Sequence, residues 1–209
     1  DGYGSIRLPK SVFDDLEAVG VLVMKFRPKT SPWTMRRRRL RRLHRKIMVV
    51  DRTIAFVGGM NIGREYRYDW HDMMVELKGP IVSKISEDFR RAWVSSGFLG
   101  DLQRLSHRDT VIPTTASEAD YPIRLLYTRP GDSQILRAQI AATRQARQHI
   151  YLQNPYITSD AMLYELVKAR RRGVDVRVIM PYRSDSGLIS RSNVLVANAM
   201  LKFLVERML

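Results

Sequence analysis

The 209-residue sequence contains no cysteine, which excludes disulfide bonds and thiolate metal sites. It also lacks an uninterrupted apolar run of about 20 residues, the length that a membrane-spanning helix requires. Acidic residues are scarce beside basic ones: 21 Asp and Glu stand against 36 Lys and Arg, which gives a net charge of +15. Such an excess favours polyanionic partners, either nucleic acid or an anionic lipid surface.

One stretch near the middle of the first half is typical of a β-hairpin. Residues Leu43 to Asp51 predict a strand, Asp51-Arg52 a tight turn, and Thr53 to Val57 a second strand, because β-branched and apolar residues dominate both runs. Gly58 and Gly59 follow at the end of the second strand. Their missing side chains would let a ligand or another stretch of backbone approach closely.

The first of these strands places two polar groups together. Side chains alternate between faces along a strand, so His44 and Lys46 are predicted to share one face, opposite Arg45 and Ile47. Neutral imidazole is a competent nucleophile near neutral pH, and an ammonium group stabilises negative charge on phosphate oxygens. Asn61 adds an amide just beyond the two glycines. This set of groups favours chemistry at a phosphodiester.

The pattern His44-x-Lys46-x4-Asp51-x6-Gly58-Gly59-x-Asn61 resembles the HKD signature of the phospholipase D superfamily, with six fixed residues over eighteen positions. Flanking motifs extend the resemblance to bacterial cardiolipin synthases and their relatives: Asp1-Gly2-Tyr3-Gly4-Ser5, Trp70-His71-Asp72 and Gly79-Pro80. A basic surface hairpin that happens to contain His and Lys is the alternative interpretation.

The resemblance and the alternation of predicted strands and helices imply an α/β fold, a phospholipase D-like layered sheet flanked by helices, with parts of two similar lobes. We expect residues 1–110 to be the closing part of the first lobe, with the HKD motif. Residues 111–209 would be the opening part of the second lobe, without its own motif. Further strands are predicted at Val21 to Phe26 and Ile123 to Tyr127.

The resemblance also implies a mechanism, phosphatidyl transfer through a phosphohistidine intermediate. In it, His44 acts as nucleophile or acid, Lys46 and Asn61 hold the phosphate, and Asp51 supports the site electrostatically. Two imidazoles are required, and the other histidines lack a lysine two positions on. We expect the second motif to come from a chain that continues past Leu209 or from a second copy, so this segment alone is expected to be inactive.

Several further residues are expected to shape the site: Gly58, Gly59, Asp72, Asn154 and Tyr156. For Asp72 the alternative is a strand-edge carboxylate that pairs with a nearby arginine. For Asn154 and Tyr156 it is a strand-end turn with a half-buried tyrosine. No cofactor and no metal are expected, because no His, Asp and Glu cluster has ligand spacing.

A basic run leads into the motif: Arg36, Arg37, Arg38, Arg39, Arg41 and Arg42. It is either a solvated or nuclear-localisation-like loop, or a collar that guides anionic substrate and contacts an acidic membrane surface. The expected partner is an anionic phospholipid, phosphatidylglycerol, with cardiolipin as product. The protein would then lie peripherally on the cytoplasmic face of the bacterial inner membrane, or in the cytoplasm. A nuclease of the same superfamily and a non-catalytic anionic-lipid or nucleic-acid binding module are the alternatives.

Overall fold

The computed structural model describes residues 8–24, 26, 43–94, 96, 122–129 and 131–181, together with 191, 195, 196 and 198. The chain divides into two compact units, Asp1–Leu125 and Leu126–Leu209. Helices and strands alternate within them, so the predicted α/β class is confirmed. The expected boundary at residues 110 and 111 lies outside the described residues, and the assignment of each half to a lobe stays a prediction.

The first unit contains three helices and three strands in its described part. In chain order they are α1 (Lys10–Ala18), β1 (Lys46–Val50), β2 (Ile54–Gly58), α2 (Arg64–Tyr68), β3 (Met74–Lys78) and α3 (Ile81–Val94). The strands form an antiparallel sheet in the order β1-β2-β3. The hairpin predicted from sequence is therefore present, with β1 beginning three residues later than expected.

The core of this unit lies between one face of the sheet and α3. Four side chains are buried there, and partly buried residues of the sheet pack against them. The buried residues are Ala55, Ile81, Val82 and Ile85; those packed around them are Ile47, Val49, Val57, Leu77 and Leu125. Because Ile47 and Val49 point towards this core, the intervening residues of β1 point to the opposite face.

The second unit contains a parallel strand pair joined through a helix. Its elements are β4 (Thr128–Arg129), β5 (Asp132–Ser133), α4 (Gln134–Gln145), β6 (His149–Gln153), α5 (Asp160–Arg171) and β7 (Asp175–Ile179). β6 and β7 pair in parallel, and α5 makes the crossover between them. Leu166, Ala169 and Val174 are almost completely buried, so α5 packs through its apolar residues.

Two of the predicted strands are wrong. Val21–Met24, the described part of the first, lies outside any strand, and Val21 N instead donates to Leu16 O at 3.0 Å, which closes the end of α1. Residues 123–127 also form no strand. There, Tyr127 O accepts a hydrogen bond from Gln134 N at 3.0 Å at the start of α4. In both segments, backbone groups that would have to pair with a neighbouring strand are instead hydrogen-bonded at the end or the start of a helix.

An ion pair with a buried carboxylate and an exposed arginine joins α4 to α5. Arg144 Nη2 donates to Glu165 Oε1 at 2.8 Å, and the Glu165 residue is only 5% exposed. Arg172 Nη2 adds a hydrogen bond to the carbonyl oxygen of Thr143 at 3.0 Å. The hydrogen bond from Arg144 lowers the pKa of Glu165, against a smaller opposing effect of desolvation. The folded unit therefore stabilises the ionised form of Glu165 more than its protonated form.

This lowered pKa predicts a pH-dependent stability of the second unit. The contribution of Glu165 is complete above its ordinary pKa of about 4.3 and is lost as pH falls through the lowered folded value. At pH 7, Glu165→Gln should therefore speed amide hydrogen exchange in α4 and α5, and the difference from wild type should shrink below about pH 4.3.

Asp14→Asn provides the control, because Asp14 pairs with Lys10 at 3.7 Å on an exposed surface of α1. Exposed pairs contribute little, so exchange in α1 should change little. Equal exchange of wild type and Glu165→Gln at pH 7 would contradict the assignment.

Candidate active site

The candidate site lies at one end of the β1–β2 hairpin. Lys46 is the first residue of β1 and pairs with Gly58, the last residue of β2. His44 lies two residues earlier, just outside the strand. Arg45, between the two, ion-pairs with Asp88 on α3 and so occupies the core side of the sheet.

The structure brings the imidazole and the ammonium group together. Lys46 Nζ lies 2.9 Å from His44 Nε2, and it also donates to the backbone carbonyl oxygen of His44 at 2.9 Å. An ammonium group has only donors, so the ring nitrogen that faces it acts as acceptor. A neutral ring with its proton on Nδ1 satisfies this contact. Neutral imidazole is the form that attacks an electrophile, and here its Nε2 atom faces the ammonium group of Lys46.

Burial and a carboxylate act in opposite directions on Lys46. Partial burial lowers the pKa of Lys46, and the negative charge of Asp72 offsets part of that effect. Asp72 precedes β3 and accepts a hydrogen bond from Met73 N at 2.7 Å. Its part in shaping the site stays a prediction, as does the alternative of an arginine partner. A cation, a neutral base and a carboxylate therefore meet at this end of the sheet.

The two glycines allow β3 and Asp72 to approach β2. A Cβ atom on Gly58 would collide with the backbone of Met73 and Met74, and one on Gly59 would lie 2.7 Å from Asp72 Oδ1. Of the two roles expected for the missing side chains, close approach of another backbone segment is the one observed. The missing side chains thus leave room for Met73, Met74 and the Asp72 carboxylate, and the part of the two glycines in shaping a catalytic site stays a prediction.

Asn61 is held by a residue that the sequence reasoning missed. Asn61 Nδ2 donates to Tyr66 Oη at 2.5 Å, and the Tyr66 ring meets Trp70 edge-on, with ring centroids 4.7 Å apart. The signal available in the sequence was an aromatic residue in a short polar helix, α2, directly after the Gly-Gly-x-Asn segment. The amide thus has a defined position close to the end of β2.

The structure does not bring Asp51 to the imidazole. Asp51 lies in the turn at the far end of the hairpin, where Asp51 and Arg52 have positive φ values of 50° and 55°. It lies five residues after Lys46 along an extended strand, a distance of about 16 Å. Across water at that distance a unit charge contributes only about 0.3 kcal/mol. The expected electrostatic support from Asp51 is therefore corrected: at this distance Asp51 has little effect on the imidazole, and in the structure it forms the turn of the hairpin.

Asn154 and Tyr156 lie in the second unit, directly after β6. Asn154 Oδ1 accepts a hydrogen bond from Tyr156 N at 2.9 Å, and Asn154 N donates to Ile179 O at 3.1 Å. This is the hydrogen bonding of a strand-end turn. Their part in shaping a catalytic cleft stays a prediction. The arginine run at 36–42 lies outside the described residues.

Within the described ranges, no group of three or more His, Cys, Asp or Glu side chains has the geometry to hold a metal ion. The helices described there are also all too short or too polar to cross a membrane.

Comparison with known proteins places the chain in a family. Residues 9–93 and 139–206 match the family described as "Cardiolipin synthase, PLD-like domain", where PLD denotes phospholipase D. The chain belongs to this phospholipase D-like family. The match includes the whole hairpin with His44 and Lys46, so the resemblance drawn from the motif is confirmed at the level of the family.

Individual relatives of the chain are also named as cardiolipin synthases. The chain is 30% identical to a cardiolipin synthase of Listeria welshimeri over 211 aligned residues, covering 97% of this chain and 43% of that protein. It is 31% identical to cardiolipin synthase A of Pseudomonas fluorescens over 206 residues, covering 94% of this chain and 41% of that protein. The chain thus spans less than half the length of these curated relatives.

The close approach at Gly58 predicts a strong effect of a single methyl group. Gly58→Ala should lower the free energy of unfolding by about 1–3 kcal/mol, because the atoms it would meet are backbone and cannot move away cheaply. Chemical unfolding followed by tryptophan fluorescence measures this change.

Gly63→Ala is the matched control. Its new Cβ would lie 3.0 Å from Glu65 Oε2, the end of a flexible exposed side chain, and Gly63 has an extended backbone with φ of −161°. Its stability should stay within about 0.5 kcal/mol of wild type. Equal effects of the two substitutions would contradict the close-packing explanation.

Proposed function

We propose that this chain forms the His-Lys half of a phospholipase D-type phosphatidyltransferase, which makes cardiolipin from phosphatidylglycerol. The observation that carries the proposal is the 2.9 Å contact between Lys46 Nζ and His44 Nε2 at an exposed strand end. Family membership and the names of the relatives support the choice of reaction.

The first half of the reaction uses His44 as the nucleophile. Its Nε2 attacks the phosphorus of one phosphatidylglycerol; a P–N bond forms, and the P–O bond to glycerol breaks. A second imidazole gives its proton to the departing glycerol alkoxide. Lys46 donates to a phosphoryl oxygen as negative charge grows there. Asn61, held by Tyr66, supplies a further donor if its amide turns to the phosphate.

In the second half, a hydroxyl group of another phosphatidylglycerol attacks the phosphatidyl-histidine. The second imidazole removes the proton from that hydroxyl, the P–N bond breaks, and cardiolipin leaves. This chain has one histidine with a lysine two positions on. The second imidazole is thus supplied by another HKD motif, either in a further region of the polypeptide or in a second copy. No cofactor takes part in either half.

Exposed apolar side chains near the site support a lipid substrate. The β2–β3 connection (residues 59–73) leaves the sheet at Gly58, opposite Lys46, and returns at Met74, which also pairs with Gly58. Ile62 is fully exposed and Met73 is 77% exposed, and Trp70 is half exposed beside them in sequence. Such residues favour the interfacial region of a bilayer. We therefore propose peripheral contact with an anionic membrane, at the cytoplasmic face of the bacterial inner membrane.

Nucleic-acid cleavage is the second candidate, favoured by the net charge of +15. A phosphodiester of DNA would meet the same His-Lys pair. Large exposed aliphatic side chains beside the site give a DNA backbone nothing to bind, however. For this reason the lipid reaction ranks first.

The reaction is tested with the form that brings both HKD motifs together, the full-length polypeptide or the paired copies, incubated with phosphatidylglycerol vesicles and, separately, with plasmid DNA. Mass spectrometry should detect cardiolipin and free glycerol in the first mixture and no nicked plasmid in the second. His44→Asn should reduce lipid turnover by more than about a thousandfold, and Lys46→Met by about a hundred- to a thousandfold.

His149→Asn is the matched control, because His149 lacks a lysine two positions on and lies on β6 of the second unit. It should retain wild-type turnover. Plasmid nicking without cardiolipin would establish the nuclease instead. Lipid binding that persists in His44→Asn, with no turnover by the wild type, would establish a binding module.

The membrane contact has its own test. Ile62→Asp should weaken sedimentation with phosphatidylglycerol vesicles by at least about tenfold, since burying an isoleucine contributes about 1.5–3 kcal/mol. The control is Leu22→Asp, because Leu22 is 81% exposed in the same unit but lies outside the β2–β3 connection. An equal loss in both variants, or none in either, would refute the assignment of this connection to the membrane.

A further inference from the structure

The residue between the two site side chains has a partner of its own. Arg45 Nη1 contacts Asp88 Oδ2, and Asp88 belongs to α3. The Asp88 residue is only 5% exposed, whereas the Arg45 side chain is 31% exposed. A carboxylate this deeply buried requires a charged or hydrogen-bonding partner, so the pair is a fixed feature of the fold.

This pair lies on the opposite face of the strand from the site. Ile47 and Val49 of β1 pack against the core that α3 completes, and Arg45 continues the same face by alternation. Lys46 points the other way and meets His44 Nε2. Fixing Arg45 against α3 therefore fixes the direction in which its two neighbours project.

This anchor bears directly on His44, because the strand ladder begins only at Lys46, paired with Gly58. The backbone at His44 lies before the first ladder pair. Lys46 Nζ contacts both the ring Nε2 and the backbone carbonyl oxygen of His44, but these contacts are exposed and come from a flexible side chain, so they fix the backbone less firmly than a buried ion pair does. The anchor at Arg45 is one residue away and is held by a buried group.

We propose that Arg45 and Asp88 are positioning residues: the buried carboxylate on α3 holds Arg45 on the core side and thereby keeps His44 and Lys46 together for attack on phosphorus. The catalytic part of this inference rests on the proposed function. The geometric part does not, since the contact between His44 and Lys46 is measurable without any substrate.

The test must separate positioning from stability, because removing one partner of a buried pair destabilises a fold by itself. The main variant is therefore the double substitution Arg45→Met with Asp88→Leu, which replaces the ion pair with apolar side chains of similar size. Such replacements leave stability close to wild type. Asp88→Asn is the second variant, since an amide of the same shape keeps an acceptor for Arg45.

The first readout is the NMR signal of the His44 ring nitrogens. In the wild type, Lys46→Met should shift the Nε2 signal, because it removes the neighbouring ammonium group. In the background of Arg45→Met with Asp88→Leu, Lys46→Met should shift it by less than half as much. The second readout is phosphatidyl transfer, where the double variant should lose about a hundredfold in kcat, the cost of a displacement of about 1 Å, with KM unchanged.

The matched control is Glu87→Gln on the same helix, one residue from Asp88. Glu87 accepts from Arg90 at 2.8 Å and from Arg91 at 2.9 Å, so this variant also breaks ion pairs of α3. The His44 signals and kcat should stay as in the wild type. Asp88→Asn should retain more activity than the double variant.

The proposal is overturned if the double variant keeps both the wild-type response of the His44 signal to Lys46→Met and the wild-type kcat. The ion pair would then serve stability alone. If the wild type shows no phosphatidyl transfer, the proposed function fails, and the ring signals still decide whether the pair positions His44.

Discussion

The packing of one sheet face against α3 is the constraint on which the candidate site depends. Ala55 and Ile85 are almost completely buried there, and burying a side chain as large as isoleucine contributes about 1.5–3 kcal/mol. Because side chains alternate along β1, committing Ile47 and Val49 to that core commits Lys46 to the other face. A shift of one residue in register would exchange the two faces. The apolar side chains of β1 thus determine the direction in which its polar side chains point.

The same register places the other parts of the site. Lys46 pairs with Gly58, and Gly58 also pairs with Met74 of β3. Three strand ends therefore meet at one edge, and the segment before β3 carries Asp72 into this edge, where Gly59 leaves room for its carboxylate. The carboxylate offsets part of the desolvation of the lysine. The strand register therefore determines both the close packing at Gly58 and Gly59 and the position of Asp72 near Lys46.

The sequence predicted the parts of this site that follow from local periodicity. The hairpin, its turn at Asp51-Arg52 and the shared direction of His44 and Lys46 all come from a period of two and from residue type. The contact of Asp88 with Arg45 did not, because Asp88 lies on a separate element 43 residues along the chain. The contact of Tyr66 with Asn61 had only a weak local signal, an aromatic residue in the short helix that follows. Asp51 fails for the converse reason. Asp51 is close to Lys46 in sequence, but the extended strand between them places the two residues far apart in space.

The two wrong strands illustrate the same limit. Val21–Met24 has the residue types of a strand, yet Val21 N is used by the carbonyl oxygen of Leu16 at the end of α1. Tyr127 similarly uses its backbone at the start of α4. β-propensity measures fit to a pleated surface and does not supply a partner strand. A helix such as α3 differs, because its repeated apolar face requires only one core to pack against.

The contact between Lys46 and His44 also bears on how the site works. In the free protein the ammonium group occupies the lone pair that the nucleophile needs. A phosphate oxygen carries negative charge and a neutral imidazole does not, so the ammonium group gains a second charged partner when it turns to the phosphate. Partial burial leaves Lys46 less well hydrated, which increases its gain from an anion. A bound phosphodiester would therefore draw the ammonium group away from Nε2 and expose the lone pair to phosphorus. Under the proposed function, His44 would thus become free to attack only when the phosphodiester is present.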